Sequence, residues 1–353
     1  LLPVTAIADG NEGWTVDKTA KTVMIYTAKG LRAWADSITH GTGAGSNYGY
    51  TGYDNFTVSI EKDIDLSGAD WNSIIGLGGT ITIDGKGHTI SNMRIDEQGN
   101  GKDGNTYLGF IGHIAYGANL TVRDLTFENA HVQDPGGDSQ YSWCGVVVGH
   151  GPMDEIGKAE NSECTFRNVT VKNSVVTGGH NSAAILGYAS STEEGHLFDN
   201  CQVLNTFVGG YHSTSAVLFS MGFANVRVKN CSASGVLLYS DGLTFQSNPL
   251  FTNYNSDLWL GTLYNDYCFV LDEDEGGYVC YLRKTEKGEL AKAKLDFSGN
   301  KIENCAIVYP VVFHYTNTNI QKYVQVNTPL EGTWYAKEDY TMPVRQILGS
   351  SMY

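Results

Sequence analysis

Six short segments of this chain can be superimposed on a central asparagine or aspartate, and this repeat constrains the fold more than any other feature. The segments are TISNMRI (89–95), TVRDLTF (121–127), TFRNVTV (165–171), LFDNCQV (197–203), RVKNCSA (227–233) and KIENCAI (301–307). Their central residues, the anchors, are Asn92, Asp124, Asn168, Asn200, Asn230 and Asn304. The anchors are 32, 44, 32, 30 and 74 residues apart, so the segment is constant while the connections vary.

Apolar and polar residues alternate on either side of each anchor. The positions two before, one after and three after the anchor are apolar in every segment. The position just before the anchor is polar and reads Ser91, Arg123, Arg167, Asp199, Lys229 and Glu303. Because a period of two is typical of strands, and Val, Ile, Thr and Phe favour them, each segment is predicted to be a strand that bends at its anchor.

One such strand cannot bury its apolar face, but copies stacked in register join their faces into a continuous core. Strands stacked in this way are parallel. Asn and Asp tolerate the left-handed backbone that a corner requires, and stacked amides can bond to one another; alternatively, they are ordinary turn residues. The repeat therefore predicts an all-β, single-stranded parallel β-helix (β-solenoid).

A second recurring motif lies 10 to 19 residues before several anchors. Its copies are GFIG (109–112), VVVG (146–149), AILG (184–187) and VLFS (217–220). The motif predicts a second wall of the coil. His113 and His150 each follow the glycine that ends a copy, so we expect them to stack as wall residues rather than to bind a metal.

The ends of the chain depart from the repeat. Residues 29–38 (KGLRAWADSI) predict an amphipathic helix that caps the open end of the coil. The repeat disappears after Tyr239 and returns at Asn304, which predicts an insertion in the C-terminal part. We expect one domain over 1–353, with a cap region (1–57), main coils (58–238), an insertion (239–297) and a last coil with the C-terminal tail (298–353).

Charge and hydropathy exclude several partners. The net charge of −15 and the pI near 4.9 disfavour nucleic acid and anionic membranes. The chain contains no run of eighteen apolar residues, which predicts no membrane insertion, and its first residues do not resemble a signal peptide. We therefore expect a secreted or cell-surface protein whose signal has been removed, and a monomer.

The seven cysteines predict no disulfide framework. Cys201, Cys231 and Cys305 share one inward column, where a thiol packs as a small apolar group. Cys268 and Cys280 flank a predicted hairpin and could face one another across its two strands.

The N-terminal part resembles bacterial cell-surface proteins with GLUG-type repeats. The resemblance rests on GLRAWAD (30–36), DIDL (63–66), Trp71 and GKGHTISN (85–92), and on the later GFIG, VVVG and AILG runs. It covers about residues 20–238 and 298–312, and departs from the family at VLFS and in the insertion. The resemblance implies a right-handed parallel β-helix with an adhesive or carbohydrate-contacting role, and it implies no catalytic residues.

The residues favour ligand binding through loops on one face. Sugars bind to aromatic ring faces, and the candidate ligand-binding residues are Tyr141, Trp143, Tyr211, His212 and Asp199. The two aromatic loops are predicted to lie side by side in adjacent coils, while Asp199 belongs to the polar column before the anchors. The expected partner is a glycan or a host or extracellular macromolecule, with no cofactor, no metal and no catalytic residue.

Two alternatives stay open. A polysaccharide-active lyase or glycoside hydrolase needs converging carboxylates, for which Asp134, Asp138, Asp154 and Asp199 are the candidates. A purely structural spacer would need neither a concave surface nor an aromatic cluster.

Overall fold

The computed structural model describes residues 13–38, 53–96, 100–101, 104–115, 117–134, 142–152, 163–178, 181–190, 196–210, 214–216, 218–223 and 226–240, and six strand segments between 267 and 337. These residues form one α-helix, α1 (Ala28–Ser37), and 31 β-strands. The strands belong to four sheets, and the three largest consist almost entirely of parallel pairs. The prediction of an all-β protein with parallel strands is confirmed.

Nineteen strands form the largest sheet, sheet A. They are β1 (Trp14–Asp17), β2 (Thr22–Ile25), β3 (Phe56–Ile60), β4 (Ile64–Asp65), β6 (Thr80–Asp84), β7 (Thr89–Ser91), β8 (Arg94–Asp96), β11 (Asn119–Glu128), β12 (His131–Gln133), β15 (Cys164–Lys172), β16 (Val175–Gly178), β19 (His196–Asp199), β20 (Gln202–Leu204), β21 (Phe207–Gly210), β24 (Val226–Lys229), β25 (Ser232–Ser240), β29 (Lys301–Glu303), β30 (Ala306–Tyr315) and β31 (Trp334–Lys337).

Three smaller sheets complete the described fold. Sheet B contains β5 (Ile74–Leu77), β10 (Ile111–Ile114), β14 (Val148–His150), β18 (Leu186–Ser190) and β23 (Phe219–Phe223). Sheet C contains β9 (Thr106–Leu108), β13 (Ser142–Gly145), β17 (Asn181–Ala183) and β22 (Thr214–Ala216). Sheet D is antiparallel and contains β26 (Tyr267–Asp272), β27 (Gly277–Leu282) and β28 (Ala291–Lys292).

The chain visits the three parallel sheets in a fixed order. Four successive passes run through sheet C, then sheet B, then sheet A, and they begin at β9, β13, β17 and β22. Each strand pairs in parallel with the strand at the same position in the next pass, as β11 does with β15 and β13 with β17. Residues about 30 to 44 apart in sequence therefore lie one strand spacing apart, about 4.8 Å.

Four of the anchors, Asp124, Asn168, Asn200 and Asn230, lie at one corner of sheet A, as predicted. The superposition of the Asn92 segment on the others is wrong: Ser91 pairs with Glu128, so Asn92 stacks beside Asn129, and Gly85 lies next to Asp124. The five described anchors have φ between 52° and 58°, in the left-handed region. The Asn168 amide nitrogen donates to Asp124 Oδ1 at 2.6 Å, and that of Asn200 donates to Asn168 Oδ1 at 2.7 Å. The amide of Asn230 donates instead to Asp199 Oδ1 at 3.1 Å. The predicted amide ladder therefore joins Asp124, Asn168 and Asn200 and changes partner at Asn230; Asn304 lies outside the described residues.

A second asparagine corner follows five residues after three of the anchors. Asn129, Asn173 and Asn205 have φ of 54°, 52° and 45°. The Asn205 amide donates to Asn173 Oδ1, and the Asn129 amide to Asn92 Oδ1, each at 3.4 Å. The passes through Asp124, Asn168 and Asn200 thus bend twice, and Asn92 belongs to this second column of corners, which the sequence analysis did not predict.

The apolar columns beside the anchors form the core. Phe166 and Phe198 are fully buried and stack with their ring centroids 5.1 Å apart, and Phe219 continues the stack at 6.3 Å from Phe198. Cys201 and Cys231 are buried free thiols, as predicted. Their sulfurs donate to the carbonyls of Phe166 and Phe198 at the corner, each at 3.5 Å.

Helix α1 begins and ends one residue earlier than predicted. The Thr27 hydroxyl accepts a hydrogen bond from the Gly30 N–H at 3.0 Å and so caps the helix N-terminus. Leu31 and Trp34 are fully buried in the core. Arg32 donates to the carbonyls of Ala69 and Asp70 (both 2.6 Å), which ties the helix to the segment after β4.

Beyond residue 240 the parallel pairing returns after sheet D. Strand β29 pairs with β24, and β30 pairs with β25. The hairpin around the acidic turn forms as β26 and β27, but Cys268 is opposite Tyr281, and Cys280 is opposite Phe269. The expectation that the two cysteines face one another is wrong, because the turn length sets a register one residue away. No helix among the described residues is long and apolar enough to cross a membrane.

Candidate functional site

Sheets B and C together hold a group of histidine and aromatic side chains that we call the His–aromatic column. Its members are Tyr107, His113, Trp143, His150 and Tyr188. Tyr107 and Trp143 are in register in sheet C. His113, His150 and Tyr188 are in register in sheet B. Two ladders from two sheets therefore meet in one column.

The rings of the column are in direct contact. Tyr107 stacks on Trp143 with centroids 5.2 Å apart, and His113 stacks on His150 at 5.0 Å. The ring of His150 also lies 5.1 Å from that of Trp143 in an edge-on arrangement and 4.8 Å from that of Tyr188. The expectation that His113 and His150 stack as wall residues is confirmed.

Glycines at the end of the recurring motif permit this close approach of the two sheets. A Cβ added to Gly149 would lie 2.5 Å from the Leu108 carbonyl oxygen and 2.7 Å from that of Trp143. A Cβ on Gly187 would lie 2.5 Å from the Gly149 oxygen. Because backbone atoms cannot yield as a flexible side chain can, glycine at these positions sets the distance between sheets B and C.

Trp143 is the most exposed member of the column. The other four side chains are at most 7% exposed, whereas Trp143 is only half-buried. Tyr107 covers one face of the indole, and the rings of His150 and Tyr188 lie 5.1 Å and 5.9 Å from it. Trp143 lies in strand β13 of sheet C, which begins directly after residues 135–141.

Burial governs the ionisation of the column and its surroundings. Desolvation, with the neighbouring His150 as a second cause, holds the pKa of His113 well below its usual value. The Nδ1–H of His150 donates to the Gly151 carbonyl at 2.8 Å. Burial raises the pKa of the Cys144 thiol, and the nearby Asp134 raises it further. Burial therefore disfavours the charged forms of His113 and of the Cys144 thiol.

Asp199 lies elsewhere, on the outer face of sheet A. Its Oδ2 atom is 3.2 Å from Lys229 Nζ and 3.7 Å from Arg167 Nη1. One pass further along the same column, Arg123 pairs with Asp84 at 2.7 Å. Because each of these cations has an acidic partner, the column is a self-neutralised stripe rather than a site for an anionic chain.

The structure separates two of the candidate carboxylates. Gln133, the residue before Asp134, aligns with Gly209 through the strand between them. Asp199 precedes Gly209 by ten residues, so the two carboxylates also differ in their position along a pass. The two also lie two strand spacings apart, about 10 Å, along the stack. They are therefore too far apart to act as the paired carboxyls of a glycosidase, which need ~5–9.5 Å. Asp138 and Asp154 lie outside the described residues.

The other predicted ligand-binding residues, Tyr141, Tyr211 and His212, also lie outside the described residues. The expected adjacency of the two loops stays a prediction. Strand β13 follows Tyr141 and β22 follows His212, and β17 lies between these two strands.

Tyr107 and Tyr188 were missed by the sequence analysis. The sequence does contain a pattern that predicts them. Tyr107 stands two residues before the first glycine of GFIG, and Trp143 stands two residues before the glycine that precedes VVVG. Tyr188 also follows the last glycine of its copy, as His113 and His150 do. No group of three or more potential metal ligands occurs in the part of the chain that the structure describes.

Comparisons with known proteins give one structural likeness. No family model matches the chain, and no curated protein matches it. The chain is similar to the crystal structure of a putative immunoglobulin A1 protease from Bacteroides ovatus, with 17% identity and a TM-score of 0.48. The match covers 89% of this chain and 84% of that chain.

Proposed function

We propose that this chain is a secreted or cell-surface, right-handed, single-stranded parallel β-helix of the GLUG-repeat type that binds a glycan or host macromolecule. The binding surface lies on the side where the chain passes from sheet A to sheet C. The protein acts as a monomer and as a binding module.

The β-helix is supported by the order of the sheets. Four passes through sheets C, B and A, each in parallel register with the next, are what a coil of stacked turns produces. Helix α1 packs on the first strands and caps that end of the coil. Sheet D, between β25 and β29, is the insertion, after which the coil resumes.

The position of Trp143 is the observation that supports the proposed location of the binding surface. This half-buried indole stands where residues 135–141 enter sheet C, and its ring is held by the buried side chains of the column. A partly exposed aromatic ring whose position is fixed suits a sugar, because it provides apolar contact without loss of side-chain freedom on binding. Loops on a rigid scaffold are also where binding residues concentrate.

Charge favours a neutral ligand. The net charge of −15 repels polyanions. On the outer face of sheet A, the described basic residues Arg123, Arg167 and Lys229 are paired with acids. A neutral or weakly charged glycan avoids both penalties.

Replacing Trp143 with alanine tests the proposal. We expect binding of the glycans selected on an array to weaken at least tenfold by isothermal titration, because a buried aromatic anchor contributes about 1.4 kcal/mol or more. Tyr26→Ala is the matched control, since Tyr26 is also half-buried but lies at the first strands; it should retain the affinity of the unmodified protein.

Two results would overturn the proposal. If the Trp143→Ala and unmodified proteins bind the glycan with equal affinity, and circular dichroism shows that both are folded, Trp143 is not part of a binding surface. Turnover of a defined polysaccharide would instead favour the alternative of a polysaccharide-active lyase or hydrolase.

A further inference from the structure

We propose that His113 and His150 form a proton-sensitive support that positions Trp143, so that acidification loosens the binding surface. The effect on ligand binding rests on the function proposed above. The effect on the free protein does not.

The contacts of the two imidazoles are the first basis for this proposal. His113 and His150 are 4% and 3% exposed, and their stacked rings are 5.0 Å apart. The ring of His150 also contacts the edge of Trp143, with centroids 5.1 Å apart. A charge on either imidazole would therefore be buried against the other imidazole and against aromatic rings.

The other rings of the column, which contact the two imidazoles, are apolar or phenolic. Among the described titratable groups, Tyr107 from β9 and Tyr188 from β18 contact the two imidazoles. Cys144 follows Trp143 on the opposite face of β13, and Asp134 follows β12. The two phenols are neutral at pH 4–8. Asp134 is buried beside Cys144, which raises the pKa of that thiol. Two stacked imidazoles cannot both be protonated here without strong repulsion and a large desolvation cost.

Proton uptake therefore favours an opened arrangement of sheets B and C. The pKa of His113 is lower in the folded protein than in the unfolded chain. Its contribution to stability is complete above the unfolded value, about 6.5, and is lost as the pH falls below it toward the folded value. If the open form binds one proton more than the closed form in this window, the ratio of open to closed protein rises about tenfold for each pH unit of acidification. Opening separates Trp143 from His150.

The unliganded protein provides the test. Hydrogen exchange, corrected for the intrinsic pH dependence, should show residues 106–114 and 142–150 losing protection about tenfold per pH unit below pH 6.5. Residues 121–128 of sheet A, which hold no histidine, should lose less protection. The Trp143 fluorescence, obtained by difference from Trp143→Phe, should change over the same range.

Variants assign the effect to the two histidines. The double variant His113→Phe/His150→Phe keeps planar rings and should abolish both changes. His196→Phe is the matched control, because His196 is also fully buried, with a pKa lowered to about 3 chiefly by burial, but belongs to β19 of sheet A. It should leave the response of residues 106–114 and 142–150 unchanged.

A measurement without substitution covers the case in which the double variant does not fold. Carbon-13 NMR of labelled histidines should show His113 titrating well below the usual histidine value. Flat exchange and fluorescence from pH 7.5 to 4.5, or ordinary titration of His113, would overturn the proposal. Loss of glycan binding at every pH, with the acid response intact, would refute the proposed function and leave this inference standing.

Discussion

Replacing Asn168 with valine is expected to lower the free energy of unfolding by about 3 kcal/mol. Asn168 has φ of 52°, where a non-glycine residue costs about 1–2 kcal/mol and a β-branched one is a genuine outlier. The substitution also removes two side-chain hydrogen bonds, one to Asp124 and one from Asn200, each with a net contribution of about 0.5–1.5 kcal/mol. Urea denaturation followed by circular dichroism measures the loss.

Asn168→Gly separates the two contributions. Glycine accepts the left-handed backbone without strain but provides no amide, so the expected loss is about 1–2 kcal/mol. If the valine and glycine variants are destabilised equally, tolerance of the left-handed backbone is not part of what Asn168 contributes to stability. If neither destabilises the protein, the amide ladder has no role in holding adjacent passes together.

Replacing Phe198 with alanine is expected to cost about 3–5 kcal/mol, the range for removing a buried aromatic ring. Phe198 is fully buried and lies between Phe166 and Phe219 in the aromatic stack. The rigid strand spacing on both sides prevents the neighbouring rings from closing the cavity. The same denaturation experiment applies.

Phe198→Leu is the matched variant, because it keeps most of the apolar volume and should cost less than about 1.5 kcal/mol. A loss below about 1 kcal/mol for Phe198→Ala would mean that this column is not part of a close-packed core.

The columns around the anchors could be predicted because one physical requirement repeats in every pass. Inward positions must be apolar and the corner must tolerate positive φ, so Phe166, Phe198 and Val228 are all at most 1% exposed. Helix α1 was predictable for the same reason, since its apolar face follows the helical period.

Features without a complete repeat were missed. The second corner has asparagine at Asn92, Asn129, Asn173 and Asn205, and Asn92 was assigned to the first corner because the residues around it resemble those around the other anchors. A row of five threonines on the outer face of sheet A also escaped notice, because its members come from unevenly spaced strands. They are Thr22, Thr57, Thr82, Thr121 and Thr165.

The candidate site was harder to predict than the core. Its position depends on which pass each connection enters, and connections of different length carry no period. Trp143 was recognised as an exposed aromatic, but its partners Tyr107 and His150 come from other strands and are brought together by pairing. Asp199 was predicted to bind the same ligand as Trp143 because it belongs to the polar column before the anchors, whereas the structure places it in sheet A and Trp143 in sheet C.

The central claim is that successive passes stack in register, and pulsed electron paramagnetic resonance between outward positions measures this directly. Spin labels attached through an introduced keto amino acid avoid the buried thiols of Cys144, Cys164, Cys201 and Cys231. Thr22 and Thr165 are four strands apart in register, and Thr22 and Arg227 are six strands apart. The predicted backbone separations are about 19 Å and about 29 Å, one strand spacing per step. A distance from Thr22 to Arg227 no longer than that from Thr22 to Thr165 would contradict the stacked arrangement.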